Sequence, residues 1–298
     1  MITMTRRLSF SAAHADWLPS LTQSENEALF GPEASPEPYG HNYVLDVSVI
    51  GNIQPQTGLL VNIKEIDRIV KAKIVQVLDH KYINQRIVRF ETEPATSENL
   101  VTFIVEELED QFPENVTLSA IHLQETPLHS ITWLSHSAKT DTHNKIQEVK
   151  RNTVEMLLTR VYEFSASHRL HSQHLSDEEN RELFGKCNYE NGHGHNYELE
   201  ITVAGSVDSR TGRVIEPGLL DSIIQRKILD RYDHRHFNHD LPEFEGLITS
   251  AEVITRVIWE RLETHIPAPC KLYRVLVRET PRNIFEYYGN SFGEDKEV

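Results

Sequence analysis

The alternation of apolar and polar residues makes the first structural statement. Tyr197, Leu199, Ile201 and Val203 are separated by Glu198, Glu200 and Thr202, the period of two that belongs to a strand with one covered face. Leu45, Val47 and Val49 repeat that pattern earlier in the chain. Ile63, Ile66, Val70, Ile74 and Val77 fall instead at helical spacing, and a second helix is predicted after Thr96, Ser97 and Glu98, with Leu100, Ile104 and Leu108 on one stripe. Two more strands are predicted near 116–125 and 129–135. The order strand, strand, helix, helix, strand, strand predicts an α+β unit, a four-stranded antiparallel sheet with two helices on one face. Such a sheet leaves exposed edges, so association edge to edge is expected.

The chain carries this unit twice. Phe10-Ser-Ala-Ala-His14 is answered by Phe164-Ser-Ala-Ser-His168, Leu29-Phe30-Gly31 by Leu183-Phe184-Gly185, and Gly40-His41-Asn42-Tyr43 by Gly194-His195-Asn196-Tyr197. Asp79-His80 returns as Asp233-His234 and Glu125-Thr126-Pro127 as Glu279-Thr280-Pro281. Every pair is 154 residues apart. One ungapped offset, held by polar as well as apolar residues, marks duplication of a single module. The expected organisation is a first module over 1–136, a polar linker over 137–154, a second module over 155–291 and a tail over 292–298.

Composition narrows the function classes. A formal net charge of −15 argues against binding a phosphate backbone, which relies on clustered Lys and Arg. No apolar run is long enough to span a membrane and the N-terminus lacks the apolar core of a signal peptide, so a soluble, cytoplasmic protein is expected. Two cysteines, Cys187 and Cys270, are too few for a disulfide scaffold. Sixteen histidines are many for 298 residues, and their placement carries the chemistry.

His193 and His195 are two residues apart entering a strand, so their side chains share a face. His168 ends a second strand, in parity with Phe164 and Ala166. Three imidazoles brought to one point with an open fourth position form a catalytic zinc site. Cys187 lies in a polar stretch close in sequence to two of these ligands, where a cation would favour the thiolate and fit it to take a carbon-bound proton. Cys270 lacks such company and is expected to be structural. Asp233 and His234 can form an oriented proton-transfer pair, and Glu279 ends an alternating strand, where its carboxylate can accept two hydrogen bonds from a guanidine-like amide edge. His171, His174, His236 and His239 are expected at the surface.

These residues resemble the 6-pyruvoyl-tetrahydropterin synthases and the related 6-carboxytetrahydropterin synthases of queuosine biosynthesis. The resemblance covers nearly all of both repeats. It implies two tandem T-fold modules, action on 7,8-dihydroneopterin triphosphate, zinc on His168, His193 and His195, proton transfer by Cys187 with Asp233 and His234, and pterin recognition by Glu279. It also implies that Thr249-Ser250-Ala251-Glu252 opens a helix against the pterin, with Ser250 and Glu252 as contacts, and that the chain forms a homo-oligomer. The five residues between Cys187 and His193 resemble the pyruvoyl-forming enzymes. Tandem bacterial members are commonly carboxy-forming, and on that association the carboxy-forming reaction is the leading expectation, with the pyruvoyl-forming elimination as its alternative. A pterin-binding or assembly protein without turnover, and an aldolase-like cleavage of unphosphorylated dihydroneopterin, are the competing readings.

The first module has lost part of this set. Glu33 stands where the second carries Cys187, and Tyr39 where it carries His193. His14 and His41 remain, and a site completed by Glu33 or Glu37 is conceivable, although a phenol is a poor zinc ligand at neutral pH. Asp79, His80 and Glu125 are also kept. Since the family's active sites lie at module interfaces, the resemblance implies that they can complete a site whose zinc belongs to another module. The competing expectation is a scaffold that covers sheet edges.

Overall fold

A computed structural model describes residues 1–31, 34–135 and 155–289. Glu33, the expected linker and the expected tail lie outside the described residues. The chain separates into two compact units, one of Met1–Leu158 with Gly205–Val214, the other of Thr159–Ala204 with Ile215–Val298.

In unit 1 the strands are β1 (Ile2–His14), β2 (Tyr39–Gly51), β3 (Lys81–Tyr82), β4 (Val116–Thr126) and β5 (His129–Leu134). They run in the order β5-β4-β2-β1-β3. β1 and β2 are antiparallel from Ile2↔Gly51 to His14↔Tyr39. Leu45, Val47 and Val49 are fully buried on one face of β2, as their alternation predicts. The expected purely antiparallel sheet is corrected by β3, which pairs with β1 in parallel. This two-residue strand follows directly from the Asp79-His80 turn, where His80 takes a positive φ of 56° and donates its amide to Ser11 O.

Three helices of eight or more residues cover the unit rather than two: α1 (Gln23–Phe30), α2 (Ile63–Val70) and α3 (Ser97–Leu108). The unpredicted α1 begins at a capping box of Thr22 and Glu25, which satisfies two amides left without partners at a helix start. α2 continues through a π-helical turn, Lys71–Val75, into Gln76–Leu78. The wider turn keeps Ile66, Val70, Ile74 and Leu78 on the buried face. Leu78 thereby takes the core position that spacing alone assigns to Val77, and Ile63 is left exposed at the helix start.

Unit 2 repeats the arrangement with β6 (Glu155–His168), β7 (His193–Ser206), β8 (Arg235–His236), β9 (Lys271–Thr280) and β10 (Asn283–Tyr287). Their order is β10-β9-β7-β6-β8, and β8 is again parallel to the first strand. The helices are α4 (Asp177–Phe184), α5 (Pro217–Ile224, followed by the π turn Gln225–Leu229) and α6 (Ala251–Leu262). Leu199, Ile201, Ile224, Ile228, Ile258, Val275 and Val277 are fully buried in its core. No helix among the described residues is long and apolar enough to cross a membrane.

The unit boundaries differ from those of the repeat. Gly205–Val214, second-repeat residues by sequence, pack in unit 1. Thr96 Oγ1 donates to Gly212 O at 2.6 Å, and Val214 N donates to Glu98 Oε1 at 3.0 Å. Gly212 has a positive φ of 69°, and a Cβ there would stand 2.6 Å from Asn99 Nδ2, so only glycine fits this approach.

Candidate metal and catalytic site

His168 is the last residue of β6, and His193 and His195 open β7. Gly192 makes the approach possible. Its φ is 69°, and a Cβ would lie 2.6 Å from the carbonyl oxygen of His168. The three rings then face one another, with centroids 4.6 Å apart for His168 and His193, 5.3 Å for His168 and His195, and 4.9 Å for His193 and His195. Their ligand atoms lie within 4.8 Å of one another.

Buried polar atoms ordinarily find partners. His168 Nε2, His193 Nδ1 and His195 Nε2 are buried and have none. Burial holds the His168 and His195 imidazoles below their usual pKa, so both are neutral donors of a lone pair. Three orphaned imidazole nitrogens at this spacing fit a zinc ion, which takes histidine nitrogens at about 2.0–2.1 Å. The sequence-predicted ligand set is thus brought together.

Glu279 Oε1 lies 3.5 Å from His168 Nε2 and 3.7 Å from His195 Nε2. Its second oxygen accepts from Asn283 Nδ2 at 3.2 Å. The carboxylate therefore borders the imidazoles directly, a proximity that sequence reasoning did not anticipate. Cys187 sits half-buried in a short turn after α4, where its carbonyl accepts from Leu170 N at 2.8 Å. This bond ties the cysteine to the chain two residues beyond His168. Cys270 is buried, and burial pushes its thiol up.

Asp233 and His234 pair as expected, His234 Nδ1 standing 2.8 Å from Asp233 Oδ2. Asp233 Oδ1 accepts from Ser165 N, and this bond, then His234, holds the carboxyl below its usual range. The His234 side chain is 82 % exposed and borders a cleft of about 620 Å³ lined also by His195, Ser167, Asn196 and His236. Among the described residues no hydrogen bond or ion pair joins this dyad to Cys187 or to the three histidines. Ser250, expected as a ligand contact, caps α6 by accepting from Val253 N, and Glu252 is exposed in the first turn. His236 departs from the expected surface position, with a buried Nε2 and an Nδ1 that accepts from Asn238 N.

Unit 1 holds a second group, His14, His41 and Glu125, with ligand atoms also within 4.8 Å of one another. Glu125 Oε1 is 3.5 Å from His14 Nε2 and 3.7 Å from His41 Nε2, and Oε2 is 3.9 Å from His129 Nε2. Among the described residues the acid beside the two histidines is therefore Glu125, engaged within its own unit, rather than Glu37. The Tyr39 ring stays beside them, with centroids 4.6 Å from His14 and 5.5 Å from His41, and its hydroxyl donates to Asp16 Oδ2 at 2.8 Å. Asp79 and His80 reproduce the exposed dyad at 2.9 Å, with Asp79 accepting from Ser11 N.

The family profile described as 6-pyruvoyl tetrahydropterin synthase matches residues 3–135 and again 157–290. The chain is 46% identical over 132 residues to the 6-pyruvoyl tetrahydrobiopterin synthase of Drosophila melanogaster, covering 44% of this chain and 79% of the relative. It is 29% identical over 123 residues to the 6-carboxy-5,6,7,8-tetrahydropterin synthase of Haemophilus influenzae, covering 35% of this chain and 84% of the relative. The solved Caenorhabditis elegans 6-pyruvoyl tetrahydropterin synthase is 40% identical with a TM-score of 0.45, covering 46% of this chain and 98% of that structure.

Proposed function

The chain belongs to the 6-pyruvoyl tetrahydropterin synthase family, and from that premise we propose that it is a zinc-dependent lyase converting 7,8-dihydroneopterin triphosphate to 6-pyruvoyl-tetrahydropterin with loss of triphosphate. The working site is in unit 2. The carrying observation is the trio of buried, unpartnered nitrogens on His168, His193 and His195. The carboxy-forming reaction expected from the tandem arrangement gives way here. Similarity is much higher to the pyruvoyl-named relative than to the carboxy-named one, and the Cys187 to His193 spacing agrees with that preference.

His168, His193 and His195 would hold the zinc, which supplies Lewis acidity to side-chain hydroxyls of the substrate and to charge developing beside them. Cys187 takes the proton from the neighbouring carbon. Glu279 accepts hydrogen bonds from the amide edge of the pterin while Asn283 steadies its other oxygen. Asp233 orients His234 for proton transfer. Its exposure, shared by Asp79 and His80, suits either dyad to serve a site on another chain. Glu125, by contrast, is turned to its own unit.

Incubation of the purified zinc-loaded protein with 7,8-dihydroneopterin triphosphate, followed by mass spectrometry, tests the proposal. The expected product is the pyruvoyl pterin. A carboxy product would reverse the assignment between the two reactions, and no turnover by zinc-loaded protein would favour a pterin-binding protein.

A further inference from the structure

Each unit builds the same frame of two imidazoles and a carboxylate. His14 and His41 stand with ring centroids 5.3 Å apart, the separation also found between His168 and His195. Glu125 lies 3.5 and 3.7 Å from the paired nitrogens of unit 1, and Glu279 lies at those same distances in unit 2. What surrounds the frame differs. Where the second repeat has Leu170, His193 and Asn283, the first has Asp16, Tyr39 and His129. Unit 1 therefore lacks the imidazole that opens β7 but gains one at the start of β5.

These differences change the donors around a cation and keep the frame fit to hold one. The Tyr39 hydroxyl is committed to Asp16, so the third donor in unit 1 is the Glu125 carboxylate. His14 Nε2 and His41 Nε2 are buried and make no hydrogen bond, a costly state for a polar atom. Ligands at about 2.0–2.2 Å on the corners of a tetrahedron stand about 3.3–3.6 Å from one another. The separations of Glu125 Oε1 from the two nitrogens are close to that edge. Behind the frame, Asp16 Oδ1 lies 4.0 Å from His14 Nδ1, and His129 Nε2 lies 3.9 Å from Glu125 Oε2. Outer partners of this kind orient metal ligands and raise their basicity.

We propose that unit 1 binds a divalent transition-metal ion of its own through His14 Nε2, His41 Nε2 and Glu125 Oε1, with Asp16 and His129 as positioning residues. Two imidazoles and a carboxylate carry a negative charge that the three imidazoles of unit 2 lack. That charge offsets part of the ion's own and weakens it as a Lewis acid. The three ligands come from neighbouring strands, β1, β2 and β4, so the ion clamps the sheet and serves the stability of unit 1. It takes no part in the reaction proposed for unit 2.

The test is metal binding by the full chain after chelation, with zinc and cobalt(II) as probes, read by calorimetry and by the visible spectrum of cobalt. Wild-type protein is expected to bind two equivalents per chain, and His193→Ala, which removes the unit 2 site, to retain one. Adding Glu125→Gln to that variant is expected to weaken the remaining equivalent at least about 100-fold. It should also abolish the rise in unfolding temperature that zinc confers by binding the folded state. Glu125→Gln keeps the size of the side chain, and circular dichroism checks its fold; His41→Gln on the same background gives a second variant. A single equivalent in wild-type protein that His193→Ala abolishes would overturn the proposal and leave the unit 2 site standing. A retained equivalent that neither Glu125→Gln nor His41→Gln weakens would overturn it as well.

Discussion

His168 Nδ1 lies 2.7 Å from the carbonyl oxygen of Thr249. That oxygen can only accept, so the proton resides on Nδ1 and Nε2 presents a lone pair toward His193 and His195. Replacing any one of the three histidines by alanine is expected to lower bound zinc by about one equivalent per chain and turnover at least about 100-fold. Elemental analysis beside product assay checks both, and full zinc retention in all three variants would remove the site.

Cys187→Ala is expected to separate chemistry from metal binding. The variant should keep its zinc while product formation falls by about 10²–10⁴, the range for loss of a positioned proton-transfer group. Single-turnover assays on zinc-loaded protein read this directly, and wild-type rates would exclude the thiol as base.

Asp16 and Arg213 are expected to behave as a unit. Asp16→Leu or Arg213→Leu alone leaves a buried charge without its main partner and should cost about 3–5 kcal/mol. The double replacement, which imitates Leu170 and Leu59, should recover most of that loss. Urea unfolding midpoints of the four proteins give the coupling energy, and additive effects would show that the pair is not coupled.

Glu98 predicts a pH dependence. Its carboxyl is lifted from 4.5 to about 7, chiefly by burial, against the opposing effect of the Val214 amide. A folded pKa above the unfolded one means that the folded state holds the proton more tightly. The resulting stability is complete below pH 4.5 and lost as pH rises through 7, about 3 kcal/mol in all. Glu98→Gln keeps the acceptor for Val214 N and removes the titration. The wild-type minus variant difference in unfolding free energy should therefore fall between pH 4.5 and 7, and a flat difference would contradict the assignment.

Local rules made much of the site legible. His193 and His195 share a face because they are two residues apart on a strand, and His168 shares parity with Phe164 and Ala166. The proximity of Glu279 to those rings was not legible, because β9 reaches β7 only through sheet pairing across most of the second repeat. The orientation of Asp233 was hidden for a similar reason. A sequence shows that Asp and His are adjacent, but only the fold brings Asp233 to the amide of Ser165, 68 residues earlier.

The amino-acid sequence by itself determined the duplication, the alternating strands, the histidine trio and the absence from the first repeat of counterparts to His193 and Cys187, since each is a matter of residue identity at short spacing or of one constant offset. Only the tertiary structure decided that Glu125 completes the group of His14 and His41, and that Gly205–Val214 packs in unit 1. Both depend on long-range closure, in which burial and hydrogen bonding select among partners that the linear order leaves equivalent.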